Sequence, residues 1–143
     1  VWAEMLSNYA QGLPAPGAGG LDHDPSWGRT YYGGATFCLL ADVEIRRRTD
    51  NRKSLQDVMR AVLESHGNIT RMGQIEPILQ TGDQATGTRV LTELYANMRD
   101  QPQPREIDSL WQSLGVRLEN GRAVFDDEAP LAFVRRALIL GNR

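Results

Sequence analysis

The chain has 143 residues, of which 41% are hydrophobic, and 16 basic against 18 acidic side chains give it a formal charge of -2. This length suits one ordinary domain, and the near-neutral charge argues against a general role at nucleic acids or membrane surfaces. The single cysteine, Cys38, excludes an internal disulfide and any metal site built from cysteine pairs. No targeting signal and no apolar run of membrane-spanning length is recognisable, so we expect a soluble domain of unassigned location.

The first third of the chain predicts a helix, a loop and a second helix. A short amphipathic helix is expected over Val1–Ala10, and a Gly- and Pro-rich loop over Gln11–Gly28. The segment Thr30–Thr49 then predicts a helix that is apolar on almost every face from Ala35 to Val43. A helix that is apolar all round is a buried helix. We therefore expect this segment to form the core, with Cys38 as a small core residue.

The remaining elements are further helices and one hairpin. Ser54 with Asp57 forms a near capping box, which opens a helix that ends at Gly67. Asn120-Gly121 is the dipeptide favoured in type I′ turns and predicts a β-hairpin near residues 116–125. Other helices or helical turns are expected over Ile75–Leu79, Thr86–Met98, Arg105–Leu114 and Ala129–Leu140, with the intervening GDQATGT segment as a loop.

The fold class expected from these elements is mainly α. Residues 1–143 are predicted to form a single helical domain of about five to seven helices, with the small hairpin as its only strands.

Few residues indicate chemistry when they are considered alone. Asp22, His23 and Asp24 can form a metal or acid/base cluster, but adjacent residues rarely converge on one ion. A solvated loop, in which Asp24 caps a turn, is the better interpretation. Asp42 lies in an apolar helix and needs a partner, and Arg46, one turn later, predicts a structural ion pair.

The basic and aromatic residues of the central segment are open to two interpretations each. The run Arg46–Arg48, extended by Arg52 and Lys53, can bind phosphate or acidic partners, although a solvated helix end is the simpler interpretation. Tyr31 and Tyr32 are by default aromatic core residues. On these grounds alone the sequence indicates a helical domain without a specific function.

Two sequence blocks between Tyr31 and Arg60 carry a family pattern. A tyrosine, two residues, Gly-Ala, an apolar run, an Asp and, four residues later, an Arg occur as Tyr31, Gly34, Ala35, Asp42 and Arg46. The pattern Ser-Leu-x-Asp-Val-Met-Arg follows at residues 54–60. Together they resemble the C-terminal helical part of the catalytic domain in glycyl-aminopeptidase-type zinc metallopeptidases, which often carry a PDZ domain. The flanking WGRTYYGGATF and GDQATGT segments are similar to one bacterial branch of that family.

The resemblance implies the C-terminal helical lobe of a thermolysin-like peptidase. In related aminopeptidases a tyrosine at the start of this helix donates a hydrogen bond to the oxyanion that forms when zinc-bound water attacks the peptide. The corresponding catalytic residue here is Tyr31, with Tyr32 as its fallback. Tyr32, Gly33 and Gly34 are then expected to line the substrate cleft. The family often has a lysine where this chain has Gly33, so any role of that lysine is absent.

The zinc motif of the family does not occur in this chain. The motif is His-Glu-x-x-His with a more distant Glu, but the only histidines, His23 and His66, are followed by Asp24 and Gly67. We therefore expect a fragment of a larger metallopeptidase that holds no cofactor itself and is inactive alone, with zinc implied for the full-length parent.

The partners implied by the resemblance are an upstream zinc-bearing lobe of the same polypeptide and a peptide substrate. Nucleic acid and membrane are not expected as partners, and the exposed lobe interface can support a homodimer. The alternative is a non-catalytic helical protein-interaction module. That alternative gives no reason to expose Tyr31, Gly33 and Gly34, and predicts that both tyrosines are buried.

Overall fold

The computed structural model describes residues 2–9, 19–23, 26–67, 74–100 and 107–141. Over these residues the fold is mainly helical, with one two-stranded antiparallel hairpin, which confirms the predicted fold class at that level. The elements are α1 (Trp2–Asn8), α2 (Gly34–Thr49), α3 (Leu55–His66), α4 (Ile75–Thr86), α5 (Val90–Arg99), α6 (Ile107–Leu114), β1 (Val116–Glu119), β2 (Arg122–Phe125) and α7 (Ala132–Leu140). A 3-10 turn occupies Leu21–His23, and a π-helical segment, Arg29–Gly33, leads directly into α2. None of the described helices is both long enough and apolar enough to cross a membrane.

The chain divides into two compact units, each with its own packing. The first unit comprises residues 1–36 and 97–141, and the second comprises residues 37–96. The second unit therefore contains α3, α4, most of α2 and most of α5, whereas the first contains α1, the π-helical segment, α6, the hairpin and α7.

The core of the second unit joins four helices. Its buried residues are Ala41, Ile45, Val58, Leu79, Val90 and Leu91. The helices pack tightly at Gly82, in α4, where an added Cβ would lie 2.4 Å from Leu91 Cδ1 and 2.6 Å from Val58 Cγ1. Glycine costs helix stability, but here it lets α4 pack against α3 and α5.

The helix α4 is longer than the sequence predicts. One or two turns over Ile75–Leu79 and a loop over GDQATGT were expected, but the helix continues to Thr86 and ends at Gly87, whose φ is 66°. The reason lies in Asp83, whose carboxylate accepts hydrogen bonds from the backbone N–H groups of Leu91 at 2.9 Å and Thr92 at 3.1 Å. A buried aspartate in α4 thereby caps α5, so tertiary contacts outweigh the turn-forming composition of this segment.

The helix α2 is less buried than the sequence predicts. Ala41, Val43 and Ile45 are buried, but Ala35 and Cys38 are exposed. The predictions that Ala35–Val43 is buried on all faces and that Cys38 is a core residue are therefore wrong, because the part of the chain that the structure describes leaves this side of the helix uncovered.

The hairpin of the first unit follows the sequence prediction. Glu119 pairs with Arg122, and the two turn residues, Asn120 and Gly121, have φ values of 50° and 76°. Positive φ at both residues is the signature of a type I′ turn. The sequence therefore predicted both the position and the turn type of this hairpin.

The hairpin is joined to α6 and α7 by the buried side chain of Arg135, which is 3% exposed. Its Nη1 lies 2.9 Å from the carbonyl oxygens of Leu114 and Gly115 and 2.8 Å from that of Asp126. Its Nη2 donates to the carboxylate of Asp127. One guanidinium thus satisfies carbonyl groups at the end of α6 and after β2, while its own residue belongs to α7.

Candidate functional site at the start of α2

The residues that the sequence assigns to catalysis lie on the π-helical segment and the first turn of α2. The segment Arg29–Gly33 includes Tyr31 and Tyr32, and Gly34 continues the helix with φ -63° and ψ -43°. A π-turn is rare, is wider than an α-turn, and occurs frequently at functional sites. The π-helical segment includes Tyr31, the residue that the family resemblance assigns to catalysis, and ends immediately before Gly34.

Tyr31 presents its side chain at the surface of the first unit. Its side chain is 62% exposed and stacks on Trp27, which is 63% exposed, with 5.0 Å between the ring centroids and an interplanar angle of 37°. Trp27 also makes an edge contact with Tyr32 at 5.9 Å and 73°. Aromatic pairs at such distances are attractive by about 0.5–1.5 kcal/mol beyond their buried area. Trp27 thus restricts the orientation of an otherwise exposed phenol.

The two glycines of the predicted cleft differ in their surroundings. Gly33 is buried and Gly34 is half-buried. A Cβ added to Gly34 would meet no atom of the described chain within 4 Å. No described contact therefore requires a glycine at this helical position, where glycine costs roughly 1 kcal/mol relative to alanine.

Trp27 belongs to the candidate site through its contacts with both tyrosines. The sequence predicts it in the loop Gln11–Gly28, but helical backbone covers residues 27–28. The available signal was its spacing of four residues from Tyr31, which places two residues on the same face of a helix.

Of the sequence cluster Asp22, His23 and Asp24, the structure describes the first two residues. Nε2 of His23 lies 3.1 Å from Oδ1 of Asp100, and both side chains are exposed. Asp22 is exposed, while Asp24, with its predicted turn cap, and the side chain of His66 lie outside what the structure describes. Among the described residues there is no group of three or more His, Cys, Asp or Glu side chains able to hold a metal ion.

The predicted ion pair of α2 is confirmed. Nε of Arg46 donates to Oδ2 of Asp42 at 3.1 Å, and both side chains are largely buried. The other carboxylate oxygen of Asp42 accepts a hydrogen bond of 2.6 Å from the backbone N–H of Leu55. Asp42 is therefore fully engaged in joining α2 to α3.

The fold raises the pKa of the Cys38 thiol. Loss of solvation within the fold, and secondarily the charge of Asp42, raise the pKa of its thiol above the usual value. Because the thiolate is the reactive form, a raised pKa reduces its reactivity at neutral pH.

Comparisons of the chain with protein-family models, with curated proteins and with solved structures found no match.

Proposed function

We propose that this chain is the C-terminal helical lobe of a zinc-dependent, aminopeptidase-like metallopeptidase with a thermolysin-like fold. In this role it lines the substrate cleft and offers the hydroxyl group of Tyr31 to the oxyanion. The observation that carries the proposal is the exposed phenol of Tyr31, 62% accessible and stacked on Trp27 within a π-turn. The default interpretation of Tyr31 as an aromatic core residue would require it to be buried, and it is exposed.

The chemistry assigned to Tyr31 is the donation of one hydrogen bond. The tetrahedral intermediate of peptide hydrolysis places a negative charge on the former carbonyl oxygen, and a preorganised donor at that oxygen contributes about 3 kcal/mol. Contact with Trp27 supplies preorganisation, since it limits the rotamers of Tyr31 before substrate binds. Tyr32, half-buried against the same tryptophan, is the second candidate donor.

Gly33 and Gly34 are proposed to border the cleft. The open space around Gly34 allows either the backbone of another lobe or a bound substrate to approach α2 closely. Glycine is the residue that permits such an approach.

Zinc belongs, in this proposal, to an upstream lobe of the same polypeptide. The described residues offer no ligand set for it, so they do not fit a zinc site and no step through the metal is assigned to them. The lobe and a peptide substrate are the proposed partners. We also propose that the isolated chain forms a homodimer through the surface that would contact the upstream lobe. A comparison of the unaltered chain and its Tyr31→Arg variant by sedimentation analysis would detect this dimer.

The experiment that tests the proposal compares peptidase activity and zinc content of the full-length parent with those of its Tyr31→Phe and Tyr32→Phe variants. Loss of one oxyanion donor is expected to lower kcat about 100-fold in Tyr31→Phe, with zinc content and KM nearly unchanged. The Tyr32→Phe variant is expected to keep most of the activity. A parent that holds no zinc and cleaves no peptide would overturn the enzyme proposal, and a fully active Tyr31→Phe variant would reduce Tyr31 to a packing residue.

A non-catalytic interaction module is the second candidate, and one observation favours it. Met59 and Leu63, four residues apart on α3, are each 61% exposed. Such a pair suits contact with an apolar partner surface. This candidate predicts a parent without zinc whose partner binding is weakened by Met59→Lys and is unaffected by Tyr31→Phe.

A further inference from the structure

The second unit contains a cavity at the end of α2 and the start of α5, which the proposed peptidase role does not use. Its volume is about 650 Å³. The side chains that line it include four cations and one carboxylate, namely Arg48, Arg52, Lys53, Arg89 and Glu93. The sequence places the first three in one basic run, but only the fold brings Arg89 beside them.

Two of these cations are already neutralised by carboxylates. Nε of Arg48 lies 2.7 Å from Oε1 of Glu44, and its Nη1 lies 3.1 Å from Oε2 of Glu93. Nζ of Lys53 lies 4.0 Å from Oδ1 of Asp57. These contacts hold the wall of the cavity in place but leave little charge for a ligand.

The other two cations keep their charge available. Among the residues that the structure describes, the side chain of Arg52 makes one hydrogen bond, in which Nε donates to the carbonyl oxygen of Thr49 at 2.9 Å. Within the described part of the chain, neither Arg52 nor Arg89 forms an ion pair with a carboxylate, and both are exposed. The two terminal amino groups of Arg52 and the guanidinium of Arg89 can therefore bind an anion.

Two backbone N–H groups at the start of α5 are not available to such a site. The N–H groups of Leu91 and Thr92 are occupied by the carboxylate of Asp83. Gly87, in the cavity wall, has a left-handed backbone, and an added Cβ would meet no described atom within 4 Å. Recognition must therefore come from side chains, and the cavity is open enough to admit a ligand larger than a single ion.

We propose that this cavity binds a small phosphate-bearing molecule through the paired guanidinium groups of Arg52 and Arg89. Guanidinium groups bind phosphate oxygens in a two-point, planar geometry. Because the chain as a whole has a formal charge of -2, anion binding requires a local site and does not follow from overall charge. The phosphate is the shared chemistry of two sources, inorganic pyrophosphate and a nucleotide.

The test is calorimetric titration of pyrophosphate, and separately of adenosine 5′-monophosphate, into the full chain at low ionic strength. The double variant Arg52→Gln/Arg89→Gln is expected to bind about tenfold more weakly or worse. Arg60→Gln/Arg122→Gln is the matched control, since it removes the same charge from two exposed arginines that do not line the cavity. The control is expected to bind within about twofold of the unaltered chain.

The two ligands separate the sources of the phosphate. Tighter binding of the nucleotide than of pyrophosphate would assign the remaining cavity volume to the nucleoside, and the reverse order would assign recognition to phosphate alone. Equal losses in both double variants would show that only net charge matters and would overturn the proposal. Absence of binding by the unaltered chain at millimolar ligand would overturn it as well. Melting temperatures by circular dichroism check that each variant is folded.

Discussion

Asp42, in the middle of α2, accepts a hydrogen bond of 2.6 Å from the backbone N–H of Leu55, the first residue of α3. The same carboxylate holds Arg46 at 3.1 Å. A carboxylate at a helix N-terminus is favoured by the unpaired N–H groups and by the helix dipole. One side chain therefore neutralises a buried arginine and fixes where α3 begins. The Asp-to-Arg spacing of the family pattern has a structural explanation that requires no role in catalysis.

Two replacements of Asp42 are expected to lower the free energy of unfolding by different amounts. Asp42→Ala removes both the carboxylate that holds the buried Arg46 and the acceptor for the N–H of Leu55, and we expect a loss of about 3 kcal/mol in the free energy of unfolding. Asp42→Asn keeps an acceptor for the N–H of Leu55 but loses the ion pair, so its loss is expected to be smaller. Urea unfolding followed by circular dichroism measures both, with exposed Glu64→Ala as the control. Equal stability of Asp42→Ala and the control would contradict this account.

Two helical glycines are expected to respond in opposite directions to alanine. Gly34→Ala meets no described atom and should raise the free energy of unfolding by about 0.5–1 kcal/mol. Gly82→Ala places its methyl group against Leu91 and Val58, so overpacking should lower the free energy of unfolding by about 1–3 kcal/mol. Thermal or urea unfolding of the two variants gives the comparison.

The glycine pair also bears on function. If another lobe or substrate passes close to Gly34, the variant Gly34→Ala should be more stable in the isolated chain and less active in the full-length parent. Full activity of this variant would remove Gly34 from the proposed cleft.

Arg135 is expected to be among the most sensitive residues of the first unit. Arg135→Met keeps most of the length of the side chain but removes the guanidinium that donates to the carbonyl groups of Leu114, Gly115 and Asp126, and we expect a loss of about 3–5 kcal/mol. Neighbouring Arg136 is exposed, so Arg136→Met should change stability by less than about 0.5 kcal/mol. Urea unfolding distinguishes the two, and similar losses would argue against the carbonyl contacts.

Stability is expected to depend on the charge of Glu44. Hydrogen bonds from Arg47 and then from Arg48 lower the pKa of its carboxyl group from the ordinary 4.5. A carboxyl group with a lowered pKa binds fewer protons in the folded state, so its stabilisation is present above the unfolded pKa and is lost as the pH falls through the folded pKa. Partly exposed pairs of this kind contribute about 1 kcal/mol or less.

The measurement for Glu44 compares unfolding of the unaltered chain and of Glu44→Gln at pH 7 and at pH 3. The difference in unfolding free energy between the two proteins should be largest at pH 7 and should shrink at pH 3. A difference that does not change with pH would show that Glu44 acts through packing and not through charge.

Local sequence patterns predicted those elements whose determinants lie within a few residues. The type I′ turn predicted at Asn120-Gly121 requires positive φ at both residues, and both have it. Likewise, Asp42 contacts Arg46 across one helical turn. Ser54 and Asp57 also meet at the start of α3, where the Ser54 N–H donates to the Asp57 carboxylate at 2.9 Å.

Elements with distant determinants could not be predicted in this way. The helix α4 runs through Gly82 and Asp83 because both residues contact other helices, and a local scan records them only as turn formers. The contacts of Arg135 join residues about twenty positions apart in the chain.

The candidate site could likewise be predicted only in part from the sequence. A family pattern selected Tyr31 and Gly34, but no sequence rule indicated that the backbone before Gly34 is π-helical or that the ring of Trp27 contacts that of Tyr31. The exposure of Ala35 and Cys38 could not be predicted either, since an apolar run is ordinarily covered by its own fold. Arg89 and Arg52 are far apart in sequence, so only the packing of α2 beside α5 reveals the basic cavity.

The contacts of Arg135 also determine which elements of the first unit unfold together. Besides the guanidinium contacts, the N–H of Leu131 donates to the carbonyl of Ser113 and the N–H of Asp126 donates to that of Gly115, each at 2.8 Å. A helix with few buried contacts opens independently of its neighbours, and its amide protons exchange early. Here α7 cannot separate without releasing the end of α6 and the base of the hairpin. Amide protons of these three elements should therefore exchange with deuterium together, as one cooperative unit with one opening free energy.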